Sequence, residues 1–380
     1  MKKTYYYFLF VFLVCCVEPE SPKFKFEEGM IYIDAYASTA QGESFVIISE
    51  SGYKFNKFLN EFLPGANVRF RNTETNTTVQ LFEQNEIYLP PDNFNAAVGD
   101  SWELLITLAD GRHYQSLPEN IIQPVNFTDI KANYDPELLF RESANDFVPG
   151  HFISVDVHDP ADEKNFYHWR YRTFEKLADC EKCENSIFRN GICDHTIGKA
   201  QGLIVHYRCE TDCWKIRFNE NIKIFSDEFT NGEVINALEV ADIPYYKKGN
   251  ILVEIQQYSL SEAAYKYFKV LKDILDNSSG INAPPPAALI GNVFNPDDKN
   301  EIVLGRFTAA STTTKRLFID RSNITESQIE PLPREVFRET CLISTCTPQE
   351  CEDMTCEPVK SAPCTENRFR TAFMPEGWQE

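Results

Sequence analysis

The first twenty-odd residues set the chemistry under which the rest of this chain must fold. Lys2 and Lys3 give a basic start, Tyr5 to Val14 is an unbroken apolar run, and Cys15-Cys16 end it before Glu18-Pro19-Glu20-Ser21-Pro22. A basic segment followed by about 7–15 apolar residues is the pattern of an export signal. The run falls short of the roughly 20 apolar residues that a helix needs to cross a bilayer core. It stops at cysteine and not at a small-x-small cleavage site, which is the pattern of a lipoprotein signal. Leu13-Val14-Cys15-Cys16 fits a loose lipobox. Cys16 is the expected acylated residue, with Cys15 as the alternative. The expectation is a signal peptide over residues 1–15 and an acidic tether over 16–29.

Export implies oxidising surroundings, and that governs how the cysteines are read. Beyond Cys15 and Cys16, the chain's 12 cysteines form a middle group, Cys180, Cys183, Cys193, Cys209 and Cys213, and a tail group, Cys341, Cys346, Cys351, Cys356 and Cys364. In an exported chain they read first as disulfides. If all of them pair, an odd count in each group requires at least one bridge between the groups. Such a bridge would staple a tail that has little apolar periodicity. The competing reading is a zinc knuckle, since Cys180-x-x-Cys183 and Cys209-x₃-Cys213 offer four thiolates at ribbon-like spacing. A thioredoxin-like redox site is disfavoured, because no βαβ pattern follows Cys180-Glu181-Lys182-Cys183.

The body of the chain is patterned for strands. Phe 29 and Tyr 17 outweigh Gly 16 and Pro 21, which favours a β-rich protein with real cores. Ile31, Ile33 and Ala35 alternate with Tyr32, Asp34 and Tyr36, and Trp102, Leu104, Ile106 and Leu108 alternate before the hairpin signal Asp110-Gly111. Short strands with regular turns predict an immunoglobulin-like β-sandwich over residues 30–123. Pro124 to Pro149 reads as a connector with one more strand. A larger β-rich domain extends over 124–322. In it Tyr167, Trp169 and Tyr171 face one way and His168, Arg170 and Arg172 the other. Ala264, Phe268, Leu271 and Leu275 predict one long helix over 260–276, with Ser259 and Glu262 at capping-box spacing. Ala283-Pro284-Pro285-Pro286 must be extended. From 323 to 380 the chain becomes a Cys-rich tail. The fold class is thus mainly β, with one helix and a disulfide-rich C-terminal tail.

The charge excludes some partners. A formal net charge of −20 opposes binding to nucleic acid, which needs basic patches, and to anionic headgroups. A lipid anchor is the remaining route to a membrane. Catalytic signatures are missing. There is no G-x-S-x-G, H-E-x-x-H, phosphate loop or dinucleotide glycine pattern, so no catalytic residue, cofactor or metal site is assigned. His151, His158, His168, His195 and His206 read as scattered surface or strand residues. The acidic stretch Asn295-Pro296-Asp297-Asp298-Lys299-Asn300-Glu301 lacks the EF-hand glycine and ligand spacing, so it reads as a solvated turn. Tyr167, Trp169 and Tyr171 are half of a core, or else a stacking platform for sugar or peptide.

Several stretches resemble the domain-of-unknown-function 4249 family of Bacteroidetes lipoproteins. They are Cys16-Val17-Glu18-Pro19, Leu63-Pro64-Gly65-Ala66-Asn67-Val68, Leu105 to Tyr114, Val253 to Phe268, Ile290-Gly291-Asn292-Val293 and Val303 to Ser311. The tail ending near Trp378 resembles the family too. The resemblance implies an outer-membrane lipoprotein, anchored by its N-terminal lipid and exposed at the cell surface. Its implied partner is a TonB-dependent receptor, for which it would be a non-enzymatic accessory in substrate capture. It supplies no ligand-binding residue. The alternatives are a stand-alone binding module for glycan, peptide or metal chelate, and a surface hydrolase with a site no motif reveals.

Overall fold

The structure is a computed structural model that describes residues 28–54, 57–141, 145–161, 163–195, 202–277, 289, 291–330, 336–340 and 358–379. Cys15, Cys16, the tether up to residue 27, Cys341, Cys346, Cys351, Cys356 and Ala283-Pro284-Pro285-Pro286 lie outside them. Among the described residues, strands dominate and one helix, Glu262–Asn277, interrupts them. The chain is mainly β, as its aromatic and β-branched period-two runs require.

The first half is sandwich-like. Ile31–Ser38 pairs with Phe45–Lys54, and Asn67–Asn72 lies between Thr78–Gln84 and Ser101–Thr107. Alternation sends Ile31, Ile33, Val46, Ile48, Val68 and Phe70 into one core with Trp102 and Leu104. The Asp110-Gly111 turn returns Ser101–Thr107 to His113–Ser116.

Residues 30–123 do not close that core alone. Val293, Val303, Phe307 and Ala309 complete it. They reach it because one 17-residue strand, Val303–Ile319, pairs with strands of both halves and joins them in one continuous sheet. Its first part, Val303 to Ala310, runs parallel to Ile31–Ser38, and Ser311 to Ile319 run antiparallel to Ile251–Ser259. Two glycines permit the close approach. A Cβ on Gly305, at φ +93°, would stand 2.0 Å from the Ile33 carbonyl oxygen, and one on Gly291 would stand 1.7 Å from that of Gly305. The Asn292 amide brackets Phe307, donating to its carbonyl and accepting from its N–H, both at 2.9 Å. Beside it, buried Arg306 pairs with buried Glu119. Glu119 also accepts hydrogen bonds from Ser261 at 2.9 Å and Asn292 at 3.3 Å.

In the second half, Phe166–Lys176 pairs with Ile251–Ser259. Tyr167, Trp169 and Tyr171 are buried with Phe127, Ile153, Val155, Val253 and Ile255. They form core, and the stacking-platform alternative is set aside. The facing layer is a three-stranded sheet of Phe127–Arg141, Asp146–His158 and Val234–Pro244. The stretch expected as a connector is thus one long hairpin. Pro136 sits where its pairing shifts register between Asp135 and Leu139, because a residue without an N–H is tolerated in a sheet at a bulge or an edge.

The helix cap differs from expectation. Ser261 Oγ accepts from the Ala264 N–H at 3.2 Å, while Ser259 ends the preceding strand. Ala264 and Phe268 are buried with Tyr36, Tyr258 and Ala310, so the helix covers the joint between the two halves. Leu275 is 50% exposed, and the apolar stripe fades after Leu271.

Among the described residues, three disulfides organise the Cys-rich region: Cys180–Cys209, Cys183–Cys193 and Cys213–Cys364. The third joins the middle group to the tail across 151 residues. The tail is also packed, where stapling alone was expected. Trp378 lies 6.0 Å from Trp214 and 5.5 Å from Phe318, ring to ring. A single large aromatic can dock without any periodicity around it.

Candidate functional site

The strand Phe166–Lys176 helps build a concavity on the face away from its core. Because side chains alternate, burying Tyr167, Trp169 and Tyr171 turns His168, Arg170 and Arg172 the other way. His168 is covered by the helix, with the Phe268 ring 4.3 Å away. Arg170 reaches across to the first half, where its guanidinium lies 4.9 Å from the Tyr36 ring and 5.2 Å from that of Phe45. Arg172 pairs with Glu43 at 3.0 Å and with Glu254 at 2.5 Å. Gln256 donates to the same two carboxylates.

The tail supplies the other wall. Two residues beyond Cys364, residues 366–373 pass over the joint, and the Arg368 guanidinium stands 5.2 Å from the Phe218 ring and 5.5 Å from that of Phe369. Arg170, Arg172, Arg368, Phe45, Phe218 and Phe373 line a cleft of about 340 Å³. An adjoining cavity of about 680 Å³ lies between the Asn85-Glu86 turn and the Cys-rich region. The two share Asn85, Asn367 and Arg368 along their common wall.

Burial dominates the electrostatics. It pushes the Asp34 carboxyl up, against the pull of Arg170 and Arg368. It raises Glu43 likewise, against Arg172. Arg368 is lowered by desolvation, with Asp34 opposing that and Arg170 adding to it. The two guanidiniums are therefore near enough to repel one another. Neither makes an ion pair or a hydrogen bond among the described residues, although eight other arginines pair with Glu or Asp at 2.5 Å or more.

The other candidates disperse. His206 bonds Asp179 at 3.0 Å in the Cys-rich region, His151 packs against Tyr134, and His158 and His195 are exposed. The sulfurs of Cys180, Cys213 and Cys364 lie within 4.8 Å of one another, yet each belongs to a disulfide. Since the metal-binding form of cysteine is the thiolate, the zinc-knuckle alternative loses its ligands. The stretch from Asn295 to Glu301 is a turn in which Asn295 Oδ1 accepts from the N–H groups of Asp297 and Asp298, while His113 and Tyr114 bond the Asp297 and Glu301 carboxylates at 2.9 Å and 2.6 Å. Among the described residues no helix is long and apolar enough to cross a membrane.

Period-two reading of the strand put Arg170 and Arg172 on one face. It did not find Glu43, Gln256 or Arg368, which come from other elements and carry no local signal.

No curated protein matches this chain, and no solved structure does. A family model matches residues 17–316, a span that holds Arg170 and Phe45 but ends before the tail with Arg368. The chain therefore belongs to the family described as domain of unknown function DUF4249.

Proposed function

We propose that this protein is a non-enzymatic lipoprotein of the outer membrane, anchored through Cys16, that captures a small ligand beside a TonB-dependent transporter. The N-terminal signal pattern and the resemblance to Bacteroidetes lipoproteins support the location and the partner. One observation carries the capture role: a cleft at the joint of the two halves, lined by guanidiniums and aromatic rings. Its walls also carry Glu43, Glu366 and Tyr258, and Glu43 is held by Arg172 and Gln256. Concave sites with apolar walls and a few placed polar groups are typical ligand sites.

The test is co-purification of the full chain from membranes in mild detergent, beside Cys16→Ala. We expect the wild-type chain in the outer-membrane fraction, bound to a large β-barrel, and the variant released from the membrane. A wild-type chain that brings no barrel with it would favour the second reading, a stand-alone binding module using the same cleft. A Cys16→Ala variant that stays with the membrane would overturn the anchor.

A further inference from the structure

We infer that the cleft recognises an oxyanion: the carboxylate or phosphate of a small ligand sits between Arg170 and Arg368, and the ligand's apolar body lies against Phe45, Phe218 and Phe373. This rests on reading the cleft as a capture site and adds the chemical class of what is captured.

The argument starts from charge. The chain carries 57 acids against 37 Lys and Arg, so carboxylates are abundant partners. Even so, two arginines in one cleft are left without a paired carboxylate among the described residues. Asp34 is within electrostatic range of both, Glu43 of Arg170 and Glu86 of Arg368, yet none stands at ion-pair distance from either guanidinium; Glu43 is already held by Arg172, and burial biases Asp34 towards its neutral form. Two guanidiniums that face one partly desolvated space with no carboxylate at ion-pair distance favour an added anion over a neutral or cationic group.

The rings make the arrangement specific. Arg170 lies over Tyr36 and Phe45, and Arg368 over Phe218 and Phe369. Stacking holds a guanidinium by its faces and leaves its N–H edge open, and that edge matches carboxylate and phosphate oxygens. Arg172 differs, because Glu43 and Glu254 already occupy it. It serves as a fixed wall. Phe373 is 76% exposed and forms an apolar lip beside the arginines. The volume of about 340 Å³ is at the lower end for small-molecule sites, which suits a head group with one ring or a short chain.

The experiment is isothermal titration of the full chain in mild detergent with phenylacetate, phenyl phosphate, benzyl alcohol and benzylamine. We expect one or both anions to bind at one per chain, and to bind more weakly as salt is raised. Which anion binds tighter separates a carboxylate ligand from a phosphate ligand. The neutral and cationic probes should not bind. Arg368→Gln should weaken anion binding at least tenfold with an unchanged melting temperature, and Arg368→Lys should recover only part of the loss. Arg170→Gln serves as the second variant where it folds. No binding of either anion, equal binding of benzyl alcohol, or unchanged affinity in Arg368→Gln would overturn the inference. Transporter co-purification is scored on the same wild-type chain. Retained co-purification without anion binding refutes this inference alone, while anion binding without a barrel refutes the transporter role alone.

Discussion

Single residues decide whether the two halves can meet. Gly305 and Gly291 stack backbone on backbone, with built Cβ atoms falling 2.0 Å and 1.7 Å from carbonyl oxygens. Backbone atoms cannot move aside as a side-chain tip can. Gly305→Ala should therefore cost about 4 kcal/mol or more, at the severe end for single changes, and Gly291→Ala a similar amount. Urea unfolding of the variants checks this, and losses near 1 kcal/mol would show that the strand simply slides. His168 gives a pH signature. Burial, and then the charge of Arg170, push its imidazole down to about 3, and burial with Arg321 pushes His151 down to about 4. The unfolded chain binds these protons near pH 6.5, while the folded chain does not. Their contribution is complete above pH 6.5 and is lost as pH falls, by up to about 1.4 kcal/mol per unit for each histidine. His168→Gln should flatten part of that slope between pH 6.5 and 4. Parallel profiles for the variant and the wild type would refute the assignment.

At the scale of elements, the helix Glu262–Asn277 acts as a cover over the joint. Its capping residue, Ser261, also donates to Glu119, so the helix start is tied to the buried pair that closes the first core. Phe268→Ala should cost about 3–5 kcal/mol, because it removes a buried ring that contacts His168. Ser261→Ala should cost about 1 kcal/mol through the lost cap, and more if Glu119 is left short of a partner. Both are read from denaturant midpoints. A Phe268→Ala chain of unchanged stability that no longer holds a transporter would move this helix from cover to interface.

Across the whole molecule, Cys213–Cys364 links the Cys-rich region to the wall of the cleft. It closes 151 residues, for which the chain-entropy treatment gives about 5 kcal/mol as an upper figure. Arg368 follows Cys364 by four residues, so the bridge also sets where that guanidinium stands. Replacing both cysteines by serine should lower stability and weaken anion binding together. Trp378, docked against Trp214 and Phe318, should keep part of the tail in place. Limited proteolysis checks this. Rapid loss of residues 358–379 is expected only when Trp378→Ala is added, and equal loss without it would assign the tail's order to the bridge alone.

Local pattern was enough for much of this protein. The pleat makes side chains alternate, so the sequence alone put Tyr167, Trp169 and Tyr171 on one face and Arg170 and Arg172 on the other. The Asp110-Gly111 hairpin and the helix stripe through Ala264 and Phe268 were legible for the same reason, because each is set by neighbours a few residues apart. Val234–Pro244 was not, since bulges against Asp146–His158 break its period, and neither was the hairpin through Pro136. Only the tertiary structure decided that Val303–Ile319 joins the two halves in one sheet, that Glu119 meets Arg306 across 187 residues, and that Arg368 and Arg170 line one cleft. Those pairings depend on which strands become neighbours and on how long loops close, and no stretch of local sequence encodes either.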